Sequence, residues 1–128
     1  TILRTADALD IPVVLLEGCA DPYSHKVVSA SMGAVFRTPV IQSAWAEVQA
    51  ACKEAKMPVA VTALSDRAKD IRGAALENMA VVIGSEGQGV RSEILQQADA
   101  QLVIPMNSRC ESLNAAIAAA IVMWQMGK

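Results

Sequence analysis

Four short, mainly apolar runs, at residues 11–16, 59–62, 80–83 and 101–104, recur along the chain with helix-length segments between them. A strand covered on both faces carries apolar residues at nearly every position instead of at alternate ones, so each run reads as a buried strand. The intervening segments, 1–9, 24–32, 44–56, 91–98 and 113–126, are amphipathic or rich in alanine and read as helices. Neighbouring parallel strands need long crossover connections, usually helices. The alternation therefore predicts an α/β fold, a mainly parallel sheet flanked by helices.

With 128 residues, 53% of them hydrophobic, the chain has enough apolar surface for one sizeable core and reads as one domain over 1–128. No linker or repeat marks a boundary inside it. Only 3% of residues are aromatic, so aliphatic and small side chains must fill that core. The last helix, Asn114-Ala-Ala-Ile-Ala-Ala-Ala-Ile-Val-Met-Trp124, is apolar nearly all round and is expected to be buried or to lie at an interface. Thr1-Ile-Leu-Arg-Thr-Ala-Asp-Ala-Leu9 starts in helix-forming residues without a cap, so the chain is expected to lack a first strand.

Several functional classes are disfavoured. No apolar stretch reaches the roughly 20 residues of a membrane span, and no signal-peptide pattern opens the chain, which leads us to expect a cytoplasmic protein. Cys19, Cys52 and Cys110 are odd in number and contain no CxxC pair, which speaks against disulfides or structural zinc and for reduced, buried thiols. His25 is the sole histidine and no G-x-S-x-G is present, so a Ser/His/Asp hydrolase is not expected. A net charge of −2 does not announce a nucleic-acid binder. A basic stripe would need the fold to gather Lys26, Arg37, Arg72, Arg91 and Arg109.

Two segments carry the chemistry. Val81-Val-Ile-Gly-Ser-Glu-Gly-Gln-Gly89 puts three glycines after a strand and before a helix, at the sheet edge where open α/β folds bind ligands. Its G-x-x-G-x-G order is neither the dinucleotide fingerprint nor a phosphate loop, and an ordinary strand-to-helix turn explains it equally well. Ile104-Pro-Met-Asn-Ser-Arg-Cys-Glu-Ser-Leu-Asn114 leaves a strand at a proline and enters the final helix. Glu111, Ser112 and Asn114 gather at the start of that helix, where Ser or Asn can cap its free amides, and capping is the simple account of Ser112.

Taken in order, these segments resemble the SpoU family of RNA methyltransferases. Val82-Ile-Gly-Ser-Glu-Gly-Gln-Gly-Val90 is similar to its second motif, and Ile104-Pro-Met with Glu111-Ser-Leu-Asn114 to its third. Thr1-Ile-Leu-Arg-Thr-Ala6 looks like the end of the first motif, without the asparagine and glycine that usually precede the arginine. Ser85 stands where asparagine is common.

The resemblance implies a SPOUT fold with a C-terminal trefoil knot, a homodimer, S-adenosylmethionine as cofactor, no metal, and transfer, in ribosomal or transfer RNA, of methyl to a ribose 2′-hydroxyl. Carried over residue by residue, it assigns cofactor contacts to Gly84, Ile104 and Leu113, and catalysis or substrate positioning to Arg4, Glu86, Ser112 and Asn114. A guanidinium is a donor only, so Arg4 is expected to grip the phosphate beside the target ribose instead of removing its proton. For Ile104 and Leu113, plain core packing is the competing account. Two other functions stay open on sequence: a non-catalytic RNA- or cofactor-binding module, and a generic nucleotide-binding α/β domain.

Overall fold

The computed structural model describes residues 2–16, 25–37, 40–63, 66–84, 90–107 and 114–127. The chain forms two compact units, Thr1–Ala50 and Ala51–Lys128.

In the first unit, α1 (Ile2–Leu9) leads into β1 (Val13–Leu15), and α2 (His25–Ser31) and a 3-10 turn (Ala34–Phe36) precede β2 (Val40–Gln42). The two strands pair in parallel, with Val13 opposite Val40 and Val14 opposite Ile41. Side chains alternate across a strand, so one face carries Val13 and Val40 and the other Val14 and Ile41. The first pair packs with Leu3, Val28 and Ala34 into a small core. The second pair is exposed. On α1, Leu3 and Ala6 are buried while Arg4 is exposed, as the helical spacing of apolar residues requires.

The helix α3 (Trp45–Glu54) crosses from the first unit to the second, which also holds β3 (Val59–Thr62), β4 (Lys69–Asp70), β5 (Ala80–Val82), α4 (Ser92–Gln97), β6 (Ala100–Val103) and α5 (Ala115–Met126). Its four strands are all parallel, in the order β4-β6-β3-β5. With a neighbour on each side, β3 buries Val59, Ala60 and Val61 in succession, which is why its sequence is apolar without alternation. Asp99 sets the start of this pairing: its Oδ2 accepts from the Val59 N–H at 2.8 Å, and its own N–H donates to the Val59 carbonyl at 2.8 Å. Ala60, Ile71, Leu76, Leu102 and Val122 form the main core, so α5 packs on this sheet through Val122.

All four expected strands and all five expected helices are present, β3 at its expected bounds and the others with ends moved by one or two residues. The expectation of one sheet is replaced, among the described residues, by a four-stranded and a two-stranded parallel sheet. β2 and β4 were not legible. β2 has three residues, and β4 is a charged Lys-Asp pair at a sheet edge, where charge blunts unwanted pairing.

Helices α1, α2 and α3 end alike. Asp10, Met32 and Lys56 take left-handed conformations just past the helices, with φ of 57°, 53° and 56°. In each case the next N–H reaches back to a carbonyl of the last turn: Ile11 to Ala6, Gly33 to Val28 and Met57 to Cys52. Non-glycine residues at these positions mean that the stops come from backbone hydrogen bonding and not from a glycine signal.

Cys52 is buried and free, as expected for a reduced thiol; Cys19 and Cys110 lie outside the described residues. Burial, and secondarily the Asp99 carboxylate, push the Cys52 thiol above its ordinary pKa. Since the thiolate is the reactive form, Cys52 is expected to alkylate slowly at pH 8 and quickly after unfolding in guanidinium, read by mass spectrometry of its peptide. Equal rates in the two conditions would show the thiol to be accessible and ordinary.

Candidate functional site

Three parallel strands, β5, β3 and β6, end side by side at the carboxyl edge of the larger sheet. Val61 lies opposite Val82 on one side, and Thr62 lies opposite Leu102 on the other. Gly84 and Ile104, each two residues beyond its paired neighbour, therefore emerge on either side of the end of β3. Hydrogen bonds tie these ends together. The Thr62 hydroxyl donates to the Val82 carbonyl at 3.4 Å, and the Ala63 N–H donates to the Leu102 carbonyl at 2.9 Å. Thr62 was not singled out from sequence, because a threonine closing a strand is unremarkable until the neighbours of that strand are known.

This edge is the place where parallel sheets receive ligands. Half-buried Gly84 offers backbone without a side chain, and half-buried Ile104 offers an apolar flank. Ile104 and Ile83 also pack against the main core, so the core account of Ile104 holds together with its edge position. An apolar side chain and a glycine's bare backbone on one carboxyl edge suit a flat, mostly apolar ring recognised by main-chain groups. Glu86 and the rest of the glycine turn at 85–89, with Ser112 and Leu113, lie outside the described residues.

Asn114 is described, and it takes the capping role that its residue type left open to it. It is the N-cap of α5: its side-chain oxygen accepts from the Ala116 N–H at 2.8 Å and the Ile117 N–H at 3.4 Å. Two otherwise orphan amides of the first turn are thereby satisfied. The carboxamide keeps two N–H donors for a further role. Asn114→Ala is expected to cost about 1 kcal/mol through loss of the cap. Asn114→Asp retains an accepting oxygen but not the amide donors, so it separates the two roles. Thermal melting should return to wild type in the aspartate variant; if single-turnover methyl transfer returns with it, the amide donors have no part in the site.

Arg4 stands on α1 in the first unit and is exposed. Of the five cations that a basic stripe would need, Arg109 and the Lys26 side chain lie outside the description. Each of the other three has a carboxylate partner: Arg37 with Asp7, Arg72 with Asp70, and Arg91 with Glu93. Three hydrogen bonds from the Arg72 side chain, and one from its backbone, hold the Asp70 carboxyl below its usual range. Among the described residues these arginines carry paired rather than bare charge. No group of three His, Cys, Asp or Glu side chains among them is arranged to hold a metal. No helix there is long and apolar enough to cross a membrane.

The family model described as the SpoU rRNA Methylase family matches residues 1–124. The 23S rRNA (guanosine(2553)-2′-O)-methyltransferase RlmP of Bacillus subtilis is 33% identical over 127 residues, covering 98% of this chain and 51% of that protein. The AdoMet-bound rRNA methyltransferase from Sinorhizobium meliloti superposes with a TM-score of 0.86 at 33% identity, covering 98% of this chain and 49% of the other. A structure described as an RNA 2′-O ribose methyltransferase gives a TM-score of 0.85 at 32% identity, with coverage of 98% and 48%. The chain thus spans about half the length of the relatives it matches.

Proposed function

This chain belongs to the SpoU rRNA methylase family, and from that premise we propose that it methylates a ribose 2′-hydroxyl in ribosomal or transfer RNA, with S-adenosylmethionine as methyl donor. One observation carries the reading beyond membership. Gly84 of the second motif and Ile104 of the third flank the end of β3 on one carboxyl edge, although twenty residues separate them in sequence.

When bound there, the cofactor supplies a methyl group made electrophilic by its sulfonium. That methyl would pass in line to the 2′-oxygen as the carbon–sulfur bond breaks and the hydroxyl proton is lost. In this reading Gly84, Ile104 and Leu113 hold the adenosine end. Arg4 grips the phosphate next to the target ribose and directs the hydroxyl, with the proton passing toward that phosphate or to water. Glu86 orients the glycine-turn amides or Arg4. Ser112 and the amide donors of Asn114 bind substrate or the methionine end of the cofactor.

The finer family features are part of the same proposal: a trefoil knot in the C-terminal part of the chain, a cytoplasmic location with the RNA, and a homodimer. α5 supports the last of these. Ala119, Val122 and Met123 are buried on one face, whereas Ile117, Ile121 and Trp124 form an apolar row at helical spacing on the other, Ile117 being 54% and Trp124 64% exposed. If that row is the dimer face, Trp124→Glu should weaken self-association by about 2 kcal/mol or more, read by sedimentation equilibrium. A wild-type chain that sediments as a monomer, or a variant dimerising equally well, would remove this part of the proposal.

The activity is tested with tritiated S-adenosylmethionine and transcribed ribosomal or transfer RNA. A methylated 2′-oxygen cannot attack the neighbouring phosphate, so label should survive alkaline hydrolysis in dinucleotides. Label in mononucleotides would mean base methylation. Thermal protection by ATP or NAD, but not by S-adenosylmethionine, would favour the generic nucleotide-binding reading.

A further inference from the structure

Among the described residues of the first unit, Arg37 is a cation anchored to a carboxylate. It closes the 3-10 turn Ala34–Phe36, its N–H donating to the Ala34 carbonyl at 2.9 Å. Ala34 is wholly buried against Leu3, so the turn is seated on α1. The Arg37 guanidinium reaches back to the same helix. Nε donates to Asp7 Oδ2 at 3.0 Å, and Nη2 stands 2.9 Å from that oxygen. Nη1 lies over Gly33, 3.4 Å from where a Cβ would stand, and the glycine's φ of +81° further discourages any side chain there. Its side chain remains 57% exposed. A guanidinium has five N–H donors, and two are directed at the carboxylate. The other three have a fixed direction without the usual cost of ordering a long side chain.

Two neighbours suggest what these donors meet. Arg4 precedes Asp7 by one turn of α1, and residues three apart share a helix face. Arg4 thus shares a helix face with Asp7, the carboxylate that holds Arg37. Beside Arg37, the chain's single phenylalanine, Phe36, is 69% exposed. In a protein with 3% aromatic residues, an exposed ring next in sequence to an anchored guanidinium has the makings of a nucleobase platform next to a phosphate donor.

We propose that Arg37, held by Asp7, and the ring of Phe36 form a single-stranded RNA subsite that extends the Arg4 contact, Arg37 donating to a backbone phosphate and Phe36 stacking on a base. This rests on the RNA reading above and adds to it two contact residues and one positioning residue, Asp7.

The test is fluorescence anisotropy of the 128-residue chain with a labelled twelve-nucleotide single-stranded RNA across a potassium chloride series, with thermal melting of every variant. Arg37→Gln should bind several-fold more weakly and reduce the slope of log affinity against log salt by about 0.7, the value of one phosphate contact to a single strand. Phe36→Leu should lose about tenfold in affinity with its salt slope unchanged, because stacking releases no counterions. Asp7→Asn is the diagnostic variant for positioning. It makes the patch more positive, so simple electrostatics predicts tighter binding, whereas loss of the anchor predicts weaker binding. Should Arg37→Gln fail to fold, Arg37→Lys keeps the charge and the ion pair and is expected to retain the slope with reduced affinity. Wild-type affinity and slope in the folded Arg37 variants, or tighter binding by Asp7→Asn, would overturn the subsite. A wild-type chain with no salt-dependent RNA binding would overturn the subsite and the RNA reading together.

Discussion

Arg4→Ala is expected to lower single-turnover methyl transfer by about 10²- to 10³-fold while leaving S-adenosylmethionine affinity unchanged. The magnitude follows from its proposed task. A ribose hydroxyl is a weak nucleophile whose attack needs alignment with the carbon–sulfur bond, and small misplacements of a reacting group cost orders of magnitude. The cofactor affinity should hold because the proposed adenosine contacts, Gly84 and Ile104, belong to the carboxyl edge of the larger sheet, whereas Arg4 belongs to α1. Arg4→Lys sharpens the test. Lysine keeps the charge but not the planar fork that grips two phosphate oxygens at once. A lysine variant with full activity would show that charge alone suffices, and an alanine variant with full activity would remove Arg4 from the mechanism. Because Arg4 is exposed, neither change should alter the melting temperature by more than a degree or two, consistent with the roughly 0.5 kcal/mol typical of surface substitutions.

The largest effect on stability is expected from Leu102→Ala. Leu102 lies on β6, between β4 and β3, and is 3% exposed within the core that also holds Ala60, Ile71, Leu76 and Val122. Removing three side-chain carbons there costs transfer energy and leaves a cavity that a sheet bonded on both sides cannot readily close, about 3–4 kcal/mol in all. For a chain of this size that corresponds to a fall in melting temperature of roughly 10 °C or more. Leu102 is also the residue whose carbonyl receives the Ala63 N–H at the carboxyl edge, so cofactor affinity should weaken along with stability. A drop below about 1 kcal/mol in chemical denaturation would mean that the site collapses around the smaller side chain, and that this core is looser than its burial implies.

Ile117, Ile121 and Trp124 show how far a sequence pattern reaches. The near-uniform apolarity of α5 signalled burial or an interface without saying which residues would serve which purpose. In the folded unit Val122 enters the core while the other face is left apolar and exposed. Periodicity is silent on such a helix, because it has no polar stripe to mark the outside. β4 illustrates the opposite failure. Lys69 and Asp70 carry no strand signal, and they pair only because β6 offers Leu102 and Val103 as parallel partners. Asn114 marks a third limit. Sequence placed cap-forming residues near the start of α5, but which one turns its oxygen to the first amides depends on where the chain arrives from β6.

What the sequence determined by itself was the alternation of strands and helices, the aliphatic character of the core and, through motif resemblance, the family; all are local properties of residue order. The tertiary structure decided the strand order β4-β6-β3-β5, and with it the meeting of Gly84 and Ile104 on either side of β3. It also decided the seating of Arg37 against Asp7, thirty residues away in the chain. Such pairings depend on crossover paths and on backbone hydrogen bonds between distant segments, and no window of sequence contains both partners.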